Sequence, residues 1–328
     1  MTSWYYANLV LIQATVVSIL TALSIQVPIR MGVFSFAGIG SYAIGAYFAA
    51  ISVIRFQMPT VVAVLGGIVI SIVVSYLLSL VLARLQGLYL GMATIAFVLI
   101  IAVVIVNGGE LTGGPNGLFG AVSQLQTWMV ITMTVVVLAL VAYSERGRLG
   151  RRVDAVREDP ELALSVGIPV IRMRQAAFVV SGILGSLGGA CSVLLRQTVT
   201  PEDVSFHLVV LLLTIIIVGG SRSWVGVVIG AVIFTWLPTV LTFLQDWKTV
   251  AYGILVTLAA VWVPDGVWGL ITQAYGAIRR RGAGPADVVV AGSAPEGGLD
   301  GTAEGVLAED TRAAQLARLG ADGDGGAR

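Results

Sequence analysis

The sequence predicts an all-α protein, a polytopic bundle of transmembrane helices followed by a disordered C-terminal tail. Only 11% of the 328 residues are charged and 57% are apolar, whereas roughly 25% of a soluble domain is charged. The few charges are also unevenly placed, because 14 of the 37 lie at or after Arg279 and only 23 lie in the first 278 residues. Apolar runs of about 20 residues, the length that crosses a bilayer, recur throughout those 278 residues.

These apolar runs indicate about nine spans, within a range of eight to ten. The second run is rich in glycine and the seventh is short, which allows either to be tilted, broken or re-entrant. Residues 1–278 therefore form the predicted membrane domain. Residues 279–328, dominated by Gly, Ala, Asp and Glu, form the predicted disordered tail. In chain order the predicted spans cover residues 6–28, 32–54, 60–83, 88–107, 125–143, 175–195, 205–220, 224–244 and 248–264.

The arginines predict the orientation, since cytoplasmic loops carry an excess of Lys and Arg. Seven arginines lie in the loop 144–174, and three more, at 279–281, close the last span. Both segments are expected to be cytoplasmic. Nine spans then place the N-terminus outside the cell and the C-terminus in the cytoplasm.

Small residues recur at helical spacing inside several spans. Small side chains allow helix backbones to approach closely in a bilayer, where no hydrophobic effect drives helix association. Bundle packing is therefore the interpretation preferred over a substrate role for Ser41, Gly45, Gly185, Gly189, Gly226 and Gly230.

Several classes of function are disfavoured by what the chain carries. The net charge is +1, which gives no support for nucleic-acid binding. One cysteine, Cys191, and one histidine, His207, cannot form an intrachain disulfide or a His-rich metal site. Neither a G-x-S-x-G elbow, an H-E-x-x-H pair nor a Walker phosphate loop is present, so we expect no enzymatic activity, metal or cofactor in this chain.

The predicted spans carry no Asp or Glu at mid-membrane depth. Ion-coupled carriers usually place a titratable or coordinating group there. The absence of such acidic residues from the predicted spans counts against secondary transport. An ion-coupled carrier or a channel acting alone stays an alternative. If the protein is a pump, its energy comes from a partner.

The loop 144–174 is more than a cluster of charges. Asp159 followed by Pro160 is typical of a helix start, with Asp as cap and Pro at the first position. Gly167 suits the helix end. The loop is therefore predicted to hold a short helix over about 160–166, which can transmit force from a partner.

Four motifs follow one another along the chain. They are SFAGIGSYAIGAY at 35–47, GLYLGMATIAF and LTGGPNGL within 87–118, REDPELA at 157–163 followed by Gly167–Ile168, and VGGSRSWVGVVIGAVIF with LP within 218–238. Together they resemble the permease subunits of branched-chain amino-acid ABC importers, and within them the longer of the two paired permeases. The resemblance covers about residues 10–270, and LTGGPNGL and REDPELA with its Gly-Ile are specific when they occur together.

The resemblance implies a function and its partners. The chain would form part of the path for branched-chain amino acids in a bacterial cell membrane, beside a second homologous permease. Two ATP-binding subunits, which bind ATP and Mg, would supply the energy, and an extracytoplasmic substrate-binding protein would deliver the cargo. Related permeases move urea or short amides, which is the alternative cargo.

The resemblance also assigns roles to residues. The ATPase-docking loop would act through Arg157, Glu158, Asp159, Glu161, Ala163 and Gly167. The path would be lined by small and hydroxyl residues, namely Thr94, Thr112, Gly113 and Asn116, although ordinary packing competes for Thr94.

Overall fold

The computed structural model describes residues 8–123 and 125–240, together with residues 253, 257, 266 and 269. The predicted ninth span at 248–264, the arginines at 279–281 and the tail at 279–328 lie outside the described residues. The eighth span is described as far as residue 240.

The described part of the chain is almost entirely helical. Six helices, α1 to α5 and α8, are long and apolar enough to cross a membrane, while α9 and α10 are apolar but shorter. This confirms an all-α, multi-pass membrane protein. The helices are α1 (Leu9–Arg30), α2 (Ala37–Ile54), α3 (Thr60–Val81), α4 (Gly87–Asn107), α5 (Thr127–Glu145), α6 (Gly147–Glu158), α7 (Pro160–Ser165), α8 (Val170–Arg196), α9 (Phe206–Gly219) and α10 (Trp224–Val240).

Two span starts differ from the prediction by five residues, while the other described ends lie within three residues of it. Helix α2 begins at Ala37, not at residue 32, because Gly32 turns the chain with a φ of 74° and the Ser35 hydroxyl accepts the Ala37 N–H at 3.3 Å. Helix α8 begins at Val170, before the predicted start at 175. The loop between the spans is therefore shorter than predicted, and its last two arginines belong to α8, where long side chains can extend toward the membrane surface.

Helices α9 and α10 are short for a span. The 14 residues of α9 extend about 21 Å at 1.5 Å per residue, less than the roughly 30 Å hydrocarbon thickness. The two helices pack closely, since a Cβ at Gly226 or Gly230 would overlap backbone oxygens of α9. They therefore form a hairpin of closely spaced backbones.

Helix α8 lies at the centre of the bundle. It packs against α1, α2 and α3, while α2 lies between α8, α3 and α4. The α9–α10 hairpin packs on α1, and α5 contacts the edge of α1. The most exposed helices are α3, α4 and α5, whose large apolar side chains face away from the core.

Two short paired strands connect two loops at one end of the bundle. Strand β1 (Leu118–Phe119) pairs antiparallel with β2 (Thr198–Val199), with Leu118 opposite Val199. The loop that follows α4 is thereby attached to the end of α8.

Candidate functional site: the two-helix loop and the opposite rim

The charged loop between α5 and α8 holds two helices instead of one. Helix α7 agrees with the predicted helix at about 160–166, but α6 was not predicted. Helix α6 buries Gly150, Val153 and Val156 and exposes the arginines between them. Only three positions in α6 are buried, too few for the apolar periodicity to be recognised in so charged a segment.

Both ends of α7 are fixed by local hydrogen bonds. The Asp159 Oδ1 atom accepts the backbone N–H of Glu161 at 2.9 Å and that of Leu162 at 3.0 Å, as an N-cap does. At the other end, Gly167 has a φ of 82° and the Ile168 N–H donates to the Ala163 carbonyl at 3.0 Å, which is the Schellman arrangement.

A small apolar cluster attaches α7 to its neighbours. Val156 of α6, Ala163 of α7 and Val170 of α8 are almost fully buried against one another. Ile168 and Met173 pack on the outside of this cluster. This cluster therefore connects α7 directly to the first turn of α8.

The six residues predicted for this loop occupy different positions. Ala163 is buried, Asp159 and Gly167 form the two ends of α7, and Arg157 is half-buried. Glu158 and Glu161 present exposed negative charge beside them, and the capping carboxylate of Asp159 is exposed as well. Sequence reasoning missed three exposed apolar side chains on and after α7: Leu162 is 63% exposed, Leu164 53% and Val166 74%.

These apolar residues give the loop the composition of an interface. Exposed apolar side chains rimmed by charges mark protein contact sites on water-facing surfaces. The signal was present in the sequence, because leucine and valine occur within an otherwise charged loop.

The loop is also anchored to the ends of three other helices. Arg30, at the end of α1, pairs with Glu145 of α5 at 3.0 Å, and both side chains are only about 15% exposed. Glu145 also accepts the Trp224 N–H at the start of α10 at 3.1 Å. Beside them, a Cβ on Gly32 would lie 3.5 Å from the Arg157 Cα atom, so α6 lies against the turn after α1.

Three of the four predicted path residues lie together at the opposite rim. The Thr112 hydroxyl donates to the Ile105 carbonyl at 2.6 Å, Gly113 has a φ of 75°, and Asn116 is exposed. A Cβ on Gly117 would overlap the Val199 carbonyl oxygen, so this loop lies directly against the end of α8.

Thr94 is not part of that group. Its hydroxyl is within hydrogen-bonding distance of the Leu90 and Gly91 carbonyls, at 3.0 and 2.9 Å, and it accepts the Phe36 N–H at 3.0 Å. Thr94 is fully buried, about 20 Å along α4 from the rim at 1.5 Å per residue. In this structure its side chain joins α4 to the start of α2.

The small residues singled out from the sequence lie where helices meet. The Ser41 and Ser75 hydroxyls are 3.1 Å apart between α2 and α3. A Cβ on Gly45 would overlap the Ser186 backbone, and one on Gly185 or Gly189 would overlap backbone oxygens of α2. Helix backbones therefore touch directly along α2 and α8.

Within residues 8–123 and 125–240, no group of three or more His, Cys, Asp or Glu side chains is arranged to hold a metal ion. Cys191 is fully buried in α8, and His207 is exposed at the start of α9.

Comparison with known proteins gives one family and several relatives. The family model for the branched-chain amino acid transport system / permease component matches residues 7–260. The chain is 27% identical over 289 residues to the high-affinity branched-chain amino acid transport system permease protein LivM of Salmonella typhimurium, covering 77% of this chain and 68% of that protein. The LivM protein of Escherichia coli is 24% identical over 290 residues, with the same two shares.

A further relative matches a shorter part of the chain. The high-affinity branched-chain amino acid transport system permease protein LivH of Salmonella typhimurium is 23% identical over 165 residues, covering 50% of this chain and 53% of that protein. No solved structure matches this chain.

Proposed function

The chain belongs to the family of branched-chain amino acid transport system permease components, and from this premise we propose that it is the membrane permease subunit of an ABC importer for branched-chain amino acids. The observation that carries the proposal is a family match over residues 7–260, a range that includes every described helix of the bundle from Leu9 to Val240. The two LivM relatives cover 77% of the chain and support the same substrate class.

The placement of charge supports an energy source outside this chain. In the described spans the ion pair of Arg30 and Glu145 lies at helix ends, and the buried polar side chains are those of Ser, Thr and Gln26, with no buried Asp, Glu, Lys or Arg. Because ion-coupled carriers usually place a coordinating or titratable group near mid-membrane, this composition of the described spans favours an energy source other than a coupling ion. ATP and Mg would accordingly be bound by separate ATP-binding subunits.

Those subunits would dock on the two-helix loop. Glu158 and Glu161 supply exposed negative charge, and Leu162, Leu164 and Val166 supply exposed apolar surface beside it. An apolar centre with a charged rim is the usual composition of a protein interface. Asp159, Ala163 and Gly167 would act indirectly by holding α7 in place.

Two further partners are a second permease subunit and an extracytoplasmic substrate-binding protein. A second permease subunit is supported by the similarity to both LivM and LivH, which are two permeases of one transport system. The arginine-rich loop would be cytoplasmic, so the rim around Thr112 and Asn116 would face the substrate-binding protein outside. With the segment 248–264 as a ninth span, the C-terminus would lie in the cytoplasm.

The proposal is tested by removing the exposed contacts of α7 while leaving its fold intact. Leu162→Ser and Glu158→Ala change side chains that are exposed, so bundle stability should not fall. We expect both variants to insert normally, to lose co-purification of the ATP-binding subunits, and to lose uptake of labelled leucine. Arg151→Ser, an exposed change on α6, is the matched control and should keep both.

Uptake assays in the same cells, together with a liposome assay, distinguish the possible functions. Uptake of labelled urea in place of leucine by the unchanged system would assign the cargo to urea or short amides. Transport by the purified chain alone in liposomes, without ATP-binding subunits, would refute the importer mechanism. Normal leucine uptake by Leu162→Ser and Glu158→Ala would refute only the docking surface.

A further inference from the structure

A cavity of about 350 Å³ lies between α1, α5, α6 and α8, next to the two-helix loop. Its wall is almost wholly apolar and includes Val137 of α5 together with Leu184 and Leu187 of α8. Along α8 it extends from Ala176 to Leu187, about 16 Å at 1.5 Å per residue. The cavity is therefore long and narrow and runs parallel to the helices.

The cavity opens sideways between α5 and α8. Leu140 and Val180 both line it, and they are 64% and 40% exposed. Both residues belong to helices that are long and apolar enough to span the membrane. In a bilayer this opening faces hydrocarbon at the depth of the spans.

Among the described lining residues, the polar groups lie at one end of the cavity. Arg30 and Glu145 line its mouth, at the ends of α1 and α5, and exposed Arg146 follows directly. One helical turn deeper, about 6 Å, is Gln26. Gln26 is 1% exposed, and neither its Nε2 nor its Oε1 atom has a hydrogen-bond partner among the residues that the structure describes.

A buried amide without a hydrogen-bond partner lowers the stability of the fold, because it has lost its hydrogen bonds to water and gained none in return. Gln26 lines a cavity that has room for a ligand, so a ligand with a polar group at that depth would remove the cost. The required ligand is charged at the mouth, polar one turn deeper and apolar over the remaining length.

The geometry points to a bound glycerophospholipid with a zwitterionic head, one acyl chain of which occupies this cavity. The phosphate would lie beside Arg30 and Arg146, and the ammonium group beside Glu145. The ester groups lie just below the phosphate in such a lipid, where the Gln26 amide can donate to them. The chain would extend along Leu184 and Leu187.

A lipid fits these observations better than a free amino acid or a partner helix. A free aliphatic amino acid is too short to extend from the charged mouth to Leu187. A volume of about 350 Å³ over about 16 Å of length leaves a cross-section narrower than the roughly 10 Å diameter of a helix. Opposite charges at the mouth complement a zwitterionic head, as basic pockets between transmembrane helices complement lipid phosphates.

The lipid would also contact the two-helix loop. Leu149 and Val153 of α6 form the part of the wall nearest the mouth. An occupied cavity would support α6 from below, whereas an empty one would leave these side chains without contacts on that face. Lipid occupancy would therefore set the position of the loop proposed to receive the ATP-binding subunits, although lipid binding itself does not depend on that function.

The test is native mass spectrometry of the purified full chain in mild detergent supplemented with phosphatidylethanolamine or phosphatidylglycerol. We expect one retained phosphatidylethanolamine per chain. Val137→Phe, which fills the cavity, should abolish retention, while Val136→Phe on the exposed face of the same helix should keep it. Gln26→Leu should weaken retention about fivefold through one lost hydrogen bond, without lowering the unfolding temperature, because leucine has no unpaired polar atom.

Several outcomes would overturn the inference. If Val137→Phe retained as much phosphatidylethanolamine as the unchanged chain, the lipid would not be bound in this cavity. Equal retention of phosphatidylethanolamine and phosphatidylglycerol would show that the site does not select a zwitterionic head group. Leucine binding that Val137→Phe abolishes and Val136→Phe keeps would make the cavity a substrate site. Loss of the lipid when the second permease is added would show that a partner helix covers the opening.

Discussion

Replacing Asp159 by alanine is expected to loosen α7 while leaving the bundle folded. Helix α7 has only six residues, and a helix that short does not persist in water by itself. It is held by the Asp159 cap, by the Gly167 turn and by the contact of Ala163 with its two valine neighbours. The substitution removes the first of these and leaves the other two.

The size of the effect follows from the cap geometry. Asp159 accepts two backbone N–H groups, at 2.9 and 3.0 Å, and loss of an N-cap side chain costs about 1 kcal/mol. The negative charge at the helix N-terminus adds a few tenths of a kcal/mol at most, since the site is exposed and water screens it. A change of about 1 kcal/mol raises the population of the open loop about fivefold.

Hydrogen exchange measured on peptides covering residues 160–168 reads this population directly. The alanine variant should exchange about five times faster there and at the unchanged rate in α8. Asp159→Asn is the matched control, because asparagine caps a helix as well as aspartate does but carries no charge. Its exchange should stay close to that of the unchanged chain.

Two results would refute this reasoning. Unchanged exchange in Asp159→Ala would show that the cap does not hold α7, and fast exchange in Asp159→Asn would show that the charge, not the hydrogen bonds, matters. Leucine uptake then separates the roles of the residue. Loss in the alanine variant alone indicates positioning of α7, while loss in both indicates that the charge contacts the ATP-binding subunit.

Three further predictions concern the bundle. Gly189→Ala should destabilise the detergent-purified chain by about 1–3 kcal/mol through overpacking, seen as a lower unfolding temperature, because its Cβ would overlap a backbone oxygen of α2. Gly67→Ala, whose Cβ would meet ordinary contacts at 3.4 Å, should leave the unfolding temperature unchanged, and equal losses would contradict the close-approach argument. Glu145→Ala should destabilise the chain by about 2–4 kcal/mol, because the poorly exposed Arg30 would keep only a 4.0 Å contact with exposed Asp154. A double-mutant cycle should assign this loss to the Arg30–Glu145 pair, and additive single effects would contradict the prediction. Since the native cysteine is buried, an impermeant maleimide should label Ser165→Cys only from the cytoplasmic side and Glu202→Cys only from outside; the opposite pattern would reverse the proposed orientation.

The fold was largely predictable because one property decides it. In a bilayer every backbone polar group must be bonded within the segment, so a sufficiently long apolar run becomes a helix. Each of the first eight predicted spans matches a helix in the described residues, while residues 248–264 lie outside them. The ends were less accurate, since Gly32 and Pro169 set them through local backbone geometry and not through hydropathy.

The candidate site was predictable only in part, for a similar reason. Asp159, Pro160 and Gly167 specify α7 through local capping, which sequence shows directly. The partners of α7 are not local: Ala163 meets Val156 and Val170 only because α6 folds back on the loop. The hydrogen bonds of Thr94 to the start of α2 likewise depend on helix packing, so its role was left open.

Helix α8 gives the two ends of the molecule a mechanical connection. It begins with Val170 in the cluster beneath α7, and it ends at Arg196, just before the strand that holds the opposite loop. Along its middle, Gly185 and Gly189 lie against the backbone of α2, and backbone atoms in such close contact cannot slide past one another without separating. We therefore expect α8 and α2 to move as one body when α7 is displaced. Because β1 pairs with β2 directly after α8, that movement would reach the loop containing Thr112 and Asn116, which is how a force applied at the two-helix loop would open or close the far rim.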